Sequence, residues 1–434
     1  MNATLNLEAI EHAFLDERTK GFPYGTAPVR VTDVGTQGWN LLGGALPFPQ
    51  AVIKDTALAH NHAWMRDFTT ATGVLLAPHG KTTMAPQIFA QQLAAGAWGI
   101  TVATVQQLAL CVRFGIRRVI MANQLVGASA VAEVIGLCEA HQDLEFYFLI
   151  DSIAQLQLIE AEARKHAPSR RLTALLELGI AGGRTGCRTE EEALALAAVI
   201  AASGTVLLAG IECYEGLQIT GDSARDAAFV AALMQTVHRV ALACDRADQF
   251  AGSAIILSAG GSAAFDIVAR ELPTHLSKPV QTILRSGCYV THDSGFYARM
   301  LENVKARSGA AWQARPGLRP ALEVWAQVQS RPEPGLALLT MGKRDASFDL
   351  DLPSVQWHFR SGRDALPKPA PGDWKISAMN DQHAYLRVPA EADVRVGDLI
   401  GSGISHPCTT FDKWRALFTV DDAYRVTGAI LTFF

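Results

Sequence analysis

The sequence predicts an α/β protein in which a closed parallel (β/α)8 barrel is followed by a smaller, mostly antiparallel β domain. Three observations carry that prediction. Short β-rich runs recur at 74–77, 98–102, 117–121, 144–150, 172–178, 206–212, 254–259 and 281–285, with helical patterns between them, as at 85–95, 104–114 and 189–203. Eight strands joined by helical crossovers make a sheet that closes on itself. No G-x-G-x-x-G follows the first strand, which puts the open doubly wound sheet second. After about residue 300 the helical period gives way to alternating runs at 320–328, 336–340, 384–388 and 424–432, separated by proline-rich turns such as 365–371.

In chain order, residues 1–50 are an N-terminal extension expected to pack with the β domain, 51–300 the barrel, and 301–434 the β domain. The segment Met1 to Lys20 reads as a short amphipathic helix, and its Glu8, Glu11, Asp16 and Glu17 do not suit a secretory signal. Ala51–Lys54 reads as a strand that could pair into the β domain. Leu58, Asn61, Met65 and Phe68 then fall at near-helical spacing.

Composition sets the function classes. With 434 residues, 49% apolar and 18% charged, the chain is globular and large enough for two cores. A net charge of -4 gives no electrostatic case for nucleic acid or an anionic membrane. No uninterrupted apolar run approaches the roughly 18 residues of a membrane span. Seven cysteines without regular spacing suit reduced thiols in a cytoplasmic protein. Six read as small buried hydrophobes, with Cys408 the exception.

In a parallel barrel the chemistry gathers at the C-terminal ends of the strands. The first end delivers His79 and Lys81, the fifth Glu177 and the loop Gly182 to Gly186, the sixth Glu212 to Gly216. A strand end fixes an amine whose desolvation lowers its pKa, so Lys81 is a candidate Schiff-base former; a solvated loop lysine is the ordinary alternative. The seventh and eighth ends, Gly260, Gly261, Ser262 and Gly287, Cys288, Tyr289, are small enough to let backbone N–H groups reach a phosphate. The same glycines also suit plain tight turns. A lysine facing a phosphate cup implies a phosphorylated aldehyde or ketone: pyridoxal phosphate is the economical candidate, and a sugar phosphate is compatible. Near the C-terminus, His406-Pro407-Cys408 puts imidazole and thiol two residues apart. On extended chain both would face one ion, a pairing that suits zinc, or another divalent metal, while a capped turn with a buried thiol is the bland reading.

Together these residues resemble the D-threonine aldolase and D-serine dehydratase family, fold type III pyridoxal phosphate enzymes with an alanine racemase-like TIM-type barrel. The resemblance runs from about Ala51 to Phe434. Pro78-His79-Gly80-Lys81-Thr82 is similar to the family's P-H-x-K-T, whose lysine carries the cofactor. The loop with Arg184, the strand with Tyr214, and the ends Ser258–Ser262 and Gly287–Tyr289 are similar to its cofactor-binding segments. His406 and Cys408 fall on its metal pair, and His383 resembles a further family histidine. Ser286 stands where relatives often have proline.

The resemblance implies a homodimeric lyase with pyridoxal 5'-phosphate and zinc, turning D-serine, D-threonine or a related β-hydroxy D-amino acid into a 2-oxo acid and ammonia. His-Pro-Cys leans to this dehydratase branch, since the aldolase branch tends to pair histidine with a carboxylate. Retro-aldol cleavage to glycine and an aldehyde uses the same parts. A non-catalytic pyridoxal phosphate carrier resembles the barrel alone, and racemisation needs a second acid/base that the sequence does not declare.

Overall fold

The structure, a computed structural model, describes residues 5–434, save the side chains of 310 and 311. Eight strands form one parallel sheet: β1 Leu75–Leu76, β2 Ile100–Val102, β3 Arg118–Gln124, β4 Glu145–Ile150, β5 Leu172–Leu178, β6 Val206–Cys213, β7 Ile255–Ala259 and β8 Val280–Leu284. Each pairs with its chain neighbour from β2 to β8, and β8 pairs with β1. Between β1 and β2 the sheet closes just beyond the strand ends. A parallel bridge links His79 to Thr101, Trp98 N–H donates to Leu76 O at 2.7 Å, and Thr101 N–H donates to Pro78 O at 2.9 Å. The Thr101 hydroxyl adds a bond to Ala77 O at 2.6 Å. The closing seam therefore lies in the stretch that carries Lys81.

Strand alternation sorts the apolar residues into two layers. Ala77, Ile120, Leu149, Leu175, Ala209, Ile256 and Ile283 fill the barrel interior. Their neighbours, such as Ala174, Leu176, Leu208 and Leu257, face the helices. Burying each such Leu or Ile stabilises the fold by about 1.5–3 kcal/mol. The helix Ser223–Arg246 meets the length and composition of a membrane span. It nonetheless buries a stripe that includes Val230, Met234, Val237 and Ala241.

The second sheet is antiparallel apart from one contact. Gln50–Lys54 pairs antiparallel with Leu322–Glu333 and parallel with Ala416–Val420, so the strand that precedes the barrel is central to the C-terminal sheet. Four strands match the alternating runs. Four more, Ser354–Phe359, Lys375–Met379, Leu399–Gly403 and Ala416–Val420, lie outside those runs, as does the two-residue edge strand Lys368–Pro369 within the proline-rich turn. Leu399–Gly403 is hidden by its glycines, which propensity disfavours in strands. Packing demands them: a Cβ on Gly401 would lie 2.6 Å from the Trp325 ring, and one on Gly403 would lie 2.2 Å from Ser294 Oγ.

The N-terminal expectation needs correction. Residues 1–4 lie outside the described residues, and the helix is a single turn, Glu8–Glu11. The chain then extends, Phe14–Leu15 pairing with Val29–Arg30. Burial overrides local helical preference here: Ile10, Leu15, Phe22, Val29 and Val34 pack in one cluster with Trp325, Phe418 and Val420 of the second sheet.

Gly401→Ala should lower the midpoint of chemical denaturation, at unchanged slope, by the equivalent of about 1–3 kcal/mol, the usual cost of overpacking. An unshifted midpoint would show that Trp325 yields freely.

Candidate active site

The C-terminal ends of the barrel strands open into a cavity of about 560 Å³. His79, Lys81, Arg184, Tyr214, Gly260, Gly261, Ser262, Gly287, Cys288, His406 and Cys408 all line it. Glu177, Ser258, Ser286, Tyr289 and His383, also singled out in the sequence, do not. Tyr289 is buried behind the wall, its hydroxyl 3.4 Å from Gln92 Nε2 and its ring edge-on to His62. His383 lies beyond the turn after Lys375–Met379, next to Gln329.

Lys81 is exposed in the cavity and makes no ion pair among the described residues. It follows Gly80, where a Cβ would press on the Phe89 ring at 2.8 Å, so glycine lets this turn sit against its own helix. Beneath it lies a polar floor. Arg285 pairs with Glu212, donates to Ser258 Oγ at 2.7 Å and donates to Cys213 O at 3.0 Å. Burial pushes the Glu212 carboxyl up to about 8, against the pull of Arg285. Burial, then the charges of Lys81, Arg285 and Arg184, hold His79 well below the ordinary imidazole value. Arg184 reaches across the face of Tyr214, 5.2 Å from its ring centre.

The residues fit a phosphorylated aromatic aldehyde. Glu212 Oε2 and His79 Nδ1 are buried with no hydrogen-bond partner among the described residues. Such vacancies near a cavity suit a polar ligand. A Cβ on Gly287 would lie 2.6 Å from both His79 O and Thr82 Oγ1, and one on Gly261 would lie 2.9 Å from the Tyr214 ring, so side chains are excluded from this wall. The cup is narrower than its glycines suggest. Glu215 already accepts the N–H groups of Gly260 and Gly261, at 3.2 and 2.7 Å. Cys288 N–H donates to Ser262 Oγ at 3.2 Å. Ser262 and Gly287 keep backbone N–H groups with no acceptor among the described residues.

On the opposite side stand His406 and Cys408. They do not converge through strand alternation, as expected from sequence. Pro407 takes φ -63° and ψ -35°, and Cys408 opens a helical turn to Phe411. Proline fixes that φ and starts the turn. His406 Nδ1 lies 2.5 Å from Asp349 Oδ2, and Thr409 donates to the other Asp349 oxygen at 2.8 Å. Burial opposes, but these hydrogen bonds outweigh it and lower the Asp349 carboxyl. Nδ1 thus holds Asp349, leaving Nε2 free for a metal, the arrangement that orients metal-bound histidines.

Cys288 is not the inert hydrophobe its sequence position suggested. Its Sγ is 3.7 Å from Cys408 Sγ, and with His406 the three ligand atoms lie within 4.8 Å of one another. The bond between the thiols, then burial, raises Cys288 well above the ordinary thiol value. The same bond, aided by Thr82 and Lys81, lowers Cys408. Asp349, which braces His406, and Tyr297, which lines the cavity, are the site residues that sequence reasoning missed, while Thr82 and Glu215 lay within segments already singled out but were given no role.

Two family models match the chain. One described as "Alanine racemase, N-terminal domain" covers residues 53–289, and one described as "Putative serine dehydratase domain" covers 321–420. A D-threonine aldolase from Arthrobacter sp is 25% identical over 383 residues, 86% of this chain and 89% of that protein. The D-threo-3-hydroxyaspartate dehydratase of Delftia sp. (strain HT23) is 30% identical over 152 residues, 35% of this chain and 39% of the relative. Among solved structures, D-threonine aldolase from Filomicrobium marinum superposes with a TM-score of 0.75 at 24% identity, over 94% of this chain and 98% of that one.

Acid should loosen the walls of this site. His292, after the β8 turn, and His62, behind Tyr289, are held by burial at about 4. The unfolded chain binds protons at both from about pH 6.5 downward, whereas the fold does not. Stability is therefore full above that pH and is lost between about 6.5 and 4. The melting temperature should fall over this window, and His62→Gln should flatten the fall; an equal slope in the variant would exclude His62 as a source.

Proposed function

The chain belongs to the alanine racemase N-terminal domain family, and on that premise we propose that it is a pyridoxal phosphate- and metal-dependent lyase that dehydrates β-hydroxy D-amino acids to 2-oxo acids and ammonia. D-Serine, D-threonine and 3-hydroxyaspartate are the substrates this reading covers. Lys81, Arg184, Tyr214 and the Ser262 and Gly287 backbone would hold the cofactor; His406 and Cys408 would hold the metal, zinc being best matched to imidazole and thiolate. When bound, the cofactor supplies an electron sink for the α-carbon and the metal a Lewis acid for the β-oxygen.

One observation carries the reading: Cys408 Sγ lies 3.4 Å from Thr82 Oγ1, one residue from Lys81. In the substrate the α-carbon and β-oxygen are two bonds apart, so the groups acting on them must be neighbours. Once the substrate's amine has released it from the cofactor, the Lys81 amine would take the α-proton. The surrounding carboxylates are committed: Glu212 to Arg285, Glu215 to two backbone N–H groups, and Asp349 to His406 and Thr409. Retro-aldol cleavage would need a base at the β-hydroxyl instead; among these carboxylates only Glu212 keeps an unpaired oxygen, and its other oxygen is held by Arg285. That alternative keeps support from the likeness to the Arthrobacter D-threonine aldolase over 86% of this chain. It would call on the neutral imidazole of His79.

Protein loaded with zinc and pyridoxal phosphate should convert D-threonine to 2-oxobutyrate and ammonia. Glycine with acetaldehyde would make it an aldolase, and neither product, with cofactor bound, would favour a racemase or carrier. Lys81→Ala should abolish both the cofactor's visible absorption at the protein and turnover. Cys408→Ser should keep that absorption while losing at least a hundred-fold in turnover. Full turnover in Cys408→Ser under chelation would refute the metal half of the proposal.

A further inference from the structure

We propose that Cys288 is a third protein ligand, so that this chain builds a two-thiolate, one-imidazole metal centre with a single open position. The inference rests on the metal-dependent reading above and extends it to a residue that sequence patterning assigned to the cofactor's side.

Geometry carries it. Zinc–sulfur bonds of about 2.3 Å at the tetrahedral angle put two sulfurs about 3.8 Å apart. Cys288 Sγ and Cys408 Sγ are 3.7 Å apart, both thiols are free, and the His406 ligand atom completes a triangle within 4.8 Å. The backbone aims Cys288 there. Gly287 is wedged against His79 O and Thr82 Oγ1, where no side chain fits, and the chain then turns through Cys288–Val290. Cys288 N–H faces Ser262 on the cofactor side while its thiol faces Cys408, so the residue serves both halves of the cavity. The surroundings suit a bound ion. Asp349 orients His406, and Thr82 Oγ1 stands 3.4 Å from Cys408 Sγ.

The chemistry differs from that of a two-ligand site. Two thiolates cancel the charge of a divalent ion, which lowers the cost of placing it beside Lys81. They also make the donor set soft, selecting zinc over magnesium or manganese. Three protein ligands leave one tetrahedral position, enough for a single substrate oxygen.

The test is cobalt(II) titration of the pyridoxal phosphate-loaded protein, read by the thiolate-to-cobalt charge-transfer absorption and by competition with a chelator. Wild type should show about twice the charge-transfer intensity of Cys288→Ser and of Cys408→Ser, and Cys288→Ser should bind cobalt at least ten-fold more weakly. Equal intensity and affinity in wild type and Cys288→Ser would overturn the third ligand and leave the His406–Cys408 pair standing. No charge transfer in wild type would overturn both. X-ray absorption of the wild-type zinc protein needs no variant: two sulfurs in the first shell support the proposal, and one refutes it.

Discussion

Everything in the site hangs on the seam that closes the barrel. Seven of the eight strand junctions are ladders, but β1 and β2 meet through single hydrogen bonds spread over residues 76–79 and 98–101. That places a turn-rich connection where a regular strand would otherwise run on. Lys81 emerges from it onto the cavity floor, not into the wall. Gly80 and Gly287 are required by the same closure, one against Phe89 and the other against the His79 carbonyl. A barrel closed by an ordinary ladder would have had no room for the loop that presents the amine.

The second sheet supplies what the barrel lacks. Strand Leu399–Gly403 runs into Ile404, whose carbonyl accepts Ser294 N–H at 2.8 Å, and Ser405 Oγ accepts Phe296 N–H at 3.4 Å. These contacts dock the segment that carries His406 and Cys408 onto the loop following β8. Charge is handled differently on the two sides. The barrel floor holds the buried Glu212–Arg285 contact, with polar atoms unpaired among the described residues. The metal side holds thiols and an imidazole braced by a carboxylate. The chemistry of one side suits an anionic aromatic ligand, and that of the other suits a cation.

Much of this was legible because the signals were periodic or local. Eight parallel strands could be read from recurring β-runs, since strands buried on both faces are continuously apolar. Lys81, Arg184, Tyr214 and the two glycine-rich ends lie beside those strands, so placing the strands placed them. What could not be read depended on contacts distant in sequence. Leu399–Gly403 looks like a loop until Trp325 and Ser294 are known to press on its glycines. The N-terminal helix gave way because Leu15 and Phe22 join one cluster with strands some three to four hundred residues later. Asp349 is one aspartate among many until His406 is beside it. Cys288 was read for its backbone, and only the fold shows where its sulfur points.

The pairing of Gln50–Lys54 carries a consequence for how the protein is made. This strand leaves the ribosome before any part of the barrel, yet its partners are Leu322–Trp325 and Phe418–Val420. Contacts so far apart in sequence form late and slowly. During synthesis an apolar strand must stay exposed while the whole barrel folds behind it, and it finds its place only when the last strands emerge. The segment bearing His406 and Cys408 arrives in that same closing step. The barrel segment is thus made before the segment that carries His406 and Cys408, and the step that pairs Gln50–Lys54 also brings that segment to the cavity.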